Sequence, residues 1–184
     1  WDHELSAAAE PVHQLRQRYA AALSPLVTGH LTSLLRLTGL ECLYQPGWDN
    51  AQPLAEVLQA TADSDRRHGY TNRGPHRADF LLRWQGRPAT EALSRGQQKL
   101  AVAAMLLAQA ELLYQHSGQA CTFLVDDLAS ELDAERRGLL LAALTAIEAQ
   151  LFITGTERGL LPDLPSTNHR MFHVEHGKVR EMVY

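Results

Sequence analysis

Two acidic side chains stand together at Asp126-Asp127, directly after the apolar run Cys121-Thr122-Phe123-Leu124-Val125. A continuous apolar run of this length reads as a strand buried on both faces of a parallel sheet. Acids at the carboxyl end of such a strand sit where open α/β sheets bind ligands. In a nucleotide hydrolase the first acid, Asp126, would hold Mg²⁺, largely through water. The second, Asp127, would accept a proton from the attacking water or orient it. The same pair also reads as the start of a polar loop leading into a helix. A second candidate precedes it, Leu93-Ser94-Arg95-Gly96-Gln97-Gln98-Lys99. Ser94 reads as a helix N-cap, and Gly96 lets the backbone approach a ligand closely. Free N–H groups and the positive end of the helix dipole would favour a phosphate there; the plainer reading is a capped helix with a polar first turn. The helix opened by Ser94 leads directly to the Asp-Asp strand, which puts both signals in one half-site.

These residues need elements to hold them. The Ser94 helix runs to about His116, and Gly118 stops it. A second helix spans Ala134 to about Glu148, capped by Asp133, with Leu140, Leu144 and Ile147 inward, and Leu151–Thr154 forms another short buried strand. Strand, helix, strand in that order is a βαβ unit with a parallel sheet. Upstream, Phe80, Leu82 and Trp84 alternate in a strand turned by Gln85-Gly86, and Leu40–Tyr44 forms one ended by Pro46-Gly47. Asn50 is placed to cap a helix from about Pro53 to Arg66, with Leu54, Val57 and Leu58 on one face. Leu5, Ala8, Val12, Leu15, Tyr19, Ala22 and Leu26 form an apolar stripe at helical spacing, either an arm against another helix or a bundle helix, with a kink or break expected at Pro11 and Pro25. Met171–Glu175 and Lys178–Arg180 close the chain as a hairpin around His176-Gly177. A lobe boundary is expected at 72/73, with a helical lobe over 1–72 and an α/β unit over 73–184.

Composition sets limits. The 184 residues are 45% apolar and 21% charged, with a net charge of -4, so DNA contact would require a local basic patch. Arg66, Arg67, His68, Arg73, His76 and Arg77 form one near the lobe boundary, with Arg36 a possible addition, and its arginines could neutralise phosphates independently of sequence. The alternative is a solvated surface paired with acids. Cys42 and Cys121 stand far apart without metal-ligand spacing, and the nine histidines show no such spacing either. No stretch approaches the roughly 20 apolar residues of a spanning helix, and no secretory pattern is present. The default location is cytoplasmic.

With these motifs in order, the chain resembles the ABC-type ATPase heads of the P-loop NTPases, including their SMC-like group. Leu93–Gln97 is similar to their signature loop, Phe123–Asp127 to their Walker B strand, and Leu132-Asp133 to the end of their D-loop. Within that group Gly74-Pro75-His76-Arg77-Ala78-Asp79, Leu93–Lys99 and Asp126–Arg137 resemble the RecF-like proteins. The resemblance implies an α/β fold: the C-terminal half of an ABC-type head with a mainly helical second lobe. It further implies ATP and Mg²⁺ as ligands and an ATP-dependent homodimer, in which the signature loop of one copy closes on the nucleotide of the other. Ser94, Arg95, Gly96 and Gln97 would then face a γ-phosphate in trans, Asp126 would serve the metal and Asp127 the water. Ser130 to Asp133 would line the interface, and Thr154 would take the position of a γ-phosphate sensor. RecF-like proteins bind DNA at gaps and act with RecR and RecO in loading RecA, in gap repair and in the SOS response. The Gly-x-x-x-x-Gly-Lys-Ser/Thr loop is not found, and the only Gly-Lys is Gly177-Lys178. With Trp1 first, the expectation is a part of a longer protein that does not hydrolyse ATP alone. Two other readings stand beside it: a head fragment of another SMC-like ATPase, and a non-enzymatic interaction module.

Overall fold

The computed structural model describes residues 1–128, 132–147, 149–156 and 169–182. Two long helices form its centre. Helix α1 (Asp2–Leu35) buries Leu23, Val27, Leu31 and Leu34, and α4 (Arg95–Ser117) buries Leu100, Ala104, Leu107 and Ala108. The two helices pack along one another. Alanines at 101, 104 and 108 on α4 leave room for the α1 leucines to approach closely, so a dry, dense contact forms. The same apolar cluster takes in Leu40, Leu93, Leu128, Leu140, Leu141 and Leu144. A second cluster gathers Ala9, Trp48, Leu54, Val57 and Leu58 where α2 (Leu54–His68) meets the start of α1.

Strand β1 (Leu40–Gln45) pairs antiparallel with β2 (Asp79–Trp84), Leu40 opposite Trp84 and Gln45 opposite Asp79, and β3 (Arg87–Pro88) adds a short edge. A single 3-10 turn, Pro75–Arg77, leads into β2, and the short helix α3 (Ala89–Ala92) leads out towards α4. Then β4 (Cys121–Val125), α5 (Ala134–Thr145) and β5 (Ala149–Ile153) make the βαβ unit, with β4 and β5 parallel as the order requires. Strands β6 (Met171–Glu175) and β7 (Lys178–Met182) form the closing hairpin. Strand β1 pairs with β2, and α1 with α4, across residues 72/73, so the main apolar cluster runs through the sequence division drawn there.

Four expectations are corrected. Helix α1 runs unbroken through Pro11 and Pro25; its packing on α4, α2 and β1 outweighs the two lost hydrogen bonds. Its buried face is also turned from the apolar stripe. Leu15 and Tyr19 are exposed, whereas His13 is buried and stacks on Tyr44 and against the edge of Trp48. A histidine counts as polar in a pattern, yet its ring fills an aromatic pocket here. Asn50 does not cap α2: Pro53 holds the cap position, and the nearby turn is made by Asp49, whose carboxylate accepts from the Ala51 N–H at 3.1 Å. Finally, within this chain β4 and β5 are covered on one face only. Phe123, Val125, Leu151 and Ile153 pack inward, but Leu124 is 78% and Phe152 52% exposed on the other side.

Candidate functional site

Strands β4 and β5 leave their sheet together, and their ladder continues one step past its end. The Thr154 N–H donates to the Val125 carbonyl at 2.9 Å, and the Leu128 N–H donates to the Thr154 carbonyl at 3.3 Å. The Thr154 side chain completes the joint: its hydroxyl donates to Asp126 Oδ1 at 2.6 Å and accepts from the Asp127 N–H at 2.9 Å. Asp127 has φ +46, a left-handed conformation that costs most L-residues about 1–2 kcal/mol and that aspartate tolerates better than most. So both acids and Thr154 meet at the carboxyl end of the parallel pair. A shallow cavity of about 230 Å³ opens beside them, lined by Lys99, Leu100, Val125, Asp126, Asp127, Leu128, Leu132 and Leu140.

The donor set decides which metal fits. Among the described residues no cluster of three or more His, Cys, Asp or Glu side chains gathers around any point. One exposed carboxylate, Asp126, beside a second acid cannot cage a transition metal or calcium. It suits Mg²⁺, which keeps several waters and takes the rest of its ligands from phosphates. The residues fit that ion in that manner.

The signature-like loop is built by local hydrogen bonds. The Gln97 N–H donates to Ser94 Oγ at 3.3 Å while the Ser94 N–H donates to Gln97 Oε1 at 2.9 Å, a reciprocal capping box. Gln98, assigned no role of its own above, buttresses the loop from beneath: its Nε2 donates to the carbonyls of Thr90 and Leu93 at 3.0 and 2.9 Å. The N–H groups of Arg95 and Gly96 belong to the same first turn, whose donors face whatever approaches the helix end. A β-carbon built on Gly96 would meet only Arg136 Nη1, at 3.7 Å, which is ordinary contact. Folding therefore does not require glycine at this position. Arg136 and Arg137, placed by pattern on the exposed face of their helix, are both half-buried. Arg136 pairs with Asp133 at 2.9 Å, and Arg137 donates to the Leu132 carbonyl at 3.1 Å. Asp133 caps α5 by accepting from the Arg136 N–H at 2.9 Å. Ser130 lies outside the described residues. Ser94–Gln97 are not among the residues lining the cavity at Asp126 and Asp127. Lys99, one turn along α4 and likewise assigned no role of its own above, is.

The basic residues collect around one loop. Tyr70, just past the end of α2, takes Arg77 over its ring at 5.2 Å and His68 against it at 5.9 Å. Asp65 ties α2 to the loop by accepting from the Asn72 N–H at 3.1 Å and from Asn72 Nδ2 at 2.7 Å. The Asn72 side chain, ahead of its other contacts, holds the Asp65 carboxyl below the usual carboxylate range. Arg16 donates to the Pro75 carbonyl at 2.5 Å, and His76 bonds the Thr71 carbonyl at 2.8 Å. Arg67, Arg73 and Arg77 are exposed. Arg66 pairs with Asp63 at 3.2 Å, and Arg36 is engaged elsewhere, with Glu135 at 2.6 Å.

Against this geometry the comparisons can be set. The family described as RecF/RecN/SMC N terminal domain matches residues 16–180. The DNA replication and repair protein RecF of Vibrio atlanticus (strain LGP32) is 39% identical over 181 residues, which are 98% of this chain and 50% of that protein. The protein of the same name from Cellvibrio japonicus (strain Ueda107) is 43% identical over 183 residues, 97% of this chain and 50% of that one. A solved structure of the recombination mediator protein RecF-ATP in the RecFOR pathway superposes with a TM-score of 0.73 at 22% identity, covering 99% of this chain and 49% of that one. The chain thus has the α/β fold of half of that protein, and it spans about half the length of the curated relatives it matches.

Proposed function

The chain belongs to the RecF/RecN/SMC family, and from that premise we propose that it is the signature-loop and Walker B half of a RecF-like DNA replication and repair ATPase. The observation that carries the reading is the joint at the end of β4, where Asp126 and Asp127 are held by Thr154 one element after the capped start of α4. In this reading the phosphate-binding loop lies in the other half of the parent protein, and two copies close around two molecules of ATP. The first turn of α4, with Ser94, Arg95, Gly96 and Gln97, meets the γ-phosphate bound by the opposite copy through N–H groups and the helix dipole. Asp126 would hold Mg²⁺, largely through water. When bound, that ion supplies charge stabilisation to phosphoryl transfer. Asp127 orients the attacking water and takes its proton. Leu132 and Asp133 would line the dimer face. The basic loop around Tyr70, with Arg66, Arg67, Arg73 and Arg77, holds DNA phosphates in a sequence-independent, salt-sensitive way. DNA gaps, RecR, RecO and the RecA-loading pathway are the proposed partners.

ATP-dependent dimerisation, by light scattering, and phosphate release test this, with this chain compared with the full-length protein that carries it. Dimerisation and turnover in the full-length protein alone support the trans arrangement; turnover by this chain alone overturns it. In the full-length protein Asp127→Asn should prolong the life of the ATP-bound dimer while slowing phosphate release by about 100-fold or more. An unchanged lifetime would sink the enzymatic role.

A further inference from the structure

We infer that Thr154 is a positioning residue that aims Asp126 and sets the backbone of Asp127, and is not itself a contact to the γ-phosphate. The inference rests on the nucleotide reading above. A threonine hydroxyl has a single proton to donate. Here it goes to Asp126 Oδ1 at 2.6 Å, the short separation of a hydrogen bond to a charged acceptor. The same oxygen accepts from the Asp127 N–H at 2.9 Å. The backbone of Thr154 is engaged as well, its N–H with Val125 and its carbonyl with Leu128. One residue of the β5 end therefore bonds each of the four residues from 125 to 128.

Donating to a phosphate would require withdrawing the proton from Asp126. That would leave the carboxylate free to rotate at the moment its direction matters. The loss would spread to Asp127, whose φ of +46 is a conformation that persists only where the surroundings fix it. A single hydroxyl thus sets the metal-side carboxylate by its side chain and the water-side carboxylate by its backbone. Threonine suits this task because β-branching restricts χ1, so the oxygen is held in place before anything binds.

Thr154→Val removes the hydroxyl at nearly constant shape, and Thr154→Ser keeps it on a freer side chain; both would be made in the full-length protein. Without nucleotide, amide hydrogen exchange over 125–128 should speed by about tenfold or more in Thr154→Val and stay near wild type in Thr154→Ser. In turnover, Thr154→Val should lower kcat by about 10- to 100-fold, as loss of an outer-shell partner does. It should also raise the Mg²⁺ concentration for half-maximal rate, keep the preference for ATP over ADP in direct binding, and be largely rescued by Thr154→Ser. Unchanged exchange in Thr154→Val overturns the inference. So does a loss of ATP-over-ADP preference at an unchanged Mg²⁺ requirement, the pattern of a phosphate sensor. Failure of the nucleotide reading shows differently, as wild-type protein without ATP-dependent dimers or turnover, and it removes both.

Discussion

Replacing Gly47 with alanine should dislodge the basic loop without touching a single charge. Gly47 has φ +91, and a β-carbon there would lie 2.3 Å from the Gly74 carbonyl oxygen and 2.7 Å from both Ala78 N and the Arg77 carbonyl carbon. All three are backbone atoms, so no rotamer change relieves the clash. Ordinary contact begins near 3.4 Å, so residues 74–78 must retreat by about 1 Å. That movement breaks the bond from the Gly74 N–H to the Gly47 carbonyl, now 3.1 Å. A left-handed alanine costs about 1–2 kcal/mol, overpacking about 1–3 and the hydrogen bond about 1. The expected loss is therefore about 4 kcal/mol, a large part of the roughly 5–15 that holds a domain folded. Urea unfolding at constant m measures it. Gly69→Ala is the control: Gly69 has φ +77 but nothing within 4 Å of its would-be β-carbon, so about 1–2 kcal/mol is expected. If Gly47→Ala costs no more than Gly69→Ala, the Gly47–Gly74 contact does not hold the loop as described. On the proposed DNA role, the affinity of the full-length protein for DNA should fall in Gly47→Ala while the salt slope stays near wild type, because no charge is removed.

Gly96→Ala should leave this chain at least as stable, because the added methyl group meets only ordinary contact and alanine favours a helix. The same change should abolish ATP-dependent dimerisation of the full-length protein; a normal dimer would remove Gly96 from the phosphate site. Burial pushes the Cys42 thiol up from 9.0 to about 11. Its folded value exceeds its unfolded one, so its contribution to stability is fully present below about pH 9 and is lost as pH rises through about 11. Unfolding midpoints should fall across that window, and Cys42→Ala should remove part of the fall; an identical profile in the variant would refute the assignment.

Elements ended by their own residues were readable in the sequence. Ser94, Gly118 and Asp133 sit at the ends of α4 and α5 where their chemistry predicts, because capping is a contract between neighbours in sequence. What depends on distant partners was harder to read. The buried side of α1 is chosen by α4 and by the Tyr44–Trp48 pocket, so an apolar stripe misjudged it and passed over His13. The apolar content of β4 says that both faces tolerate burial, but not which face has a neighbour in this chain. The sequence offered Asp126, Asp127, Ser94 and Gly96 as candidates, and the structure brings the two acids together at the end of β4. The hydroxyl that orients the two acids belongs to a residue 28 positions beyond Asp126, and no local pattern carries that distance.

The two glycines separate what the fold demands from what it merely allows. Gly47 is dictated by packing, since any side chain there strikes backbone. Gly96 is not: its φ is not left-handed and its surroundings would accept a methyl group, yet it stands in the first turn of the helix whose donors face outward. In the reading proposed above, this glycine serves the close approach of the backbone to a phosphate and not the fold. The acids differ again. In this chain β4 and its partner β5 each have one open face, with Leu124 and Phe152 exposed, so the sheet itself fixes the acids only in part. The hydrogen bonds of Thr154 supply the rest, tying residues 125–128 to the end of β5.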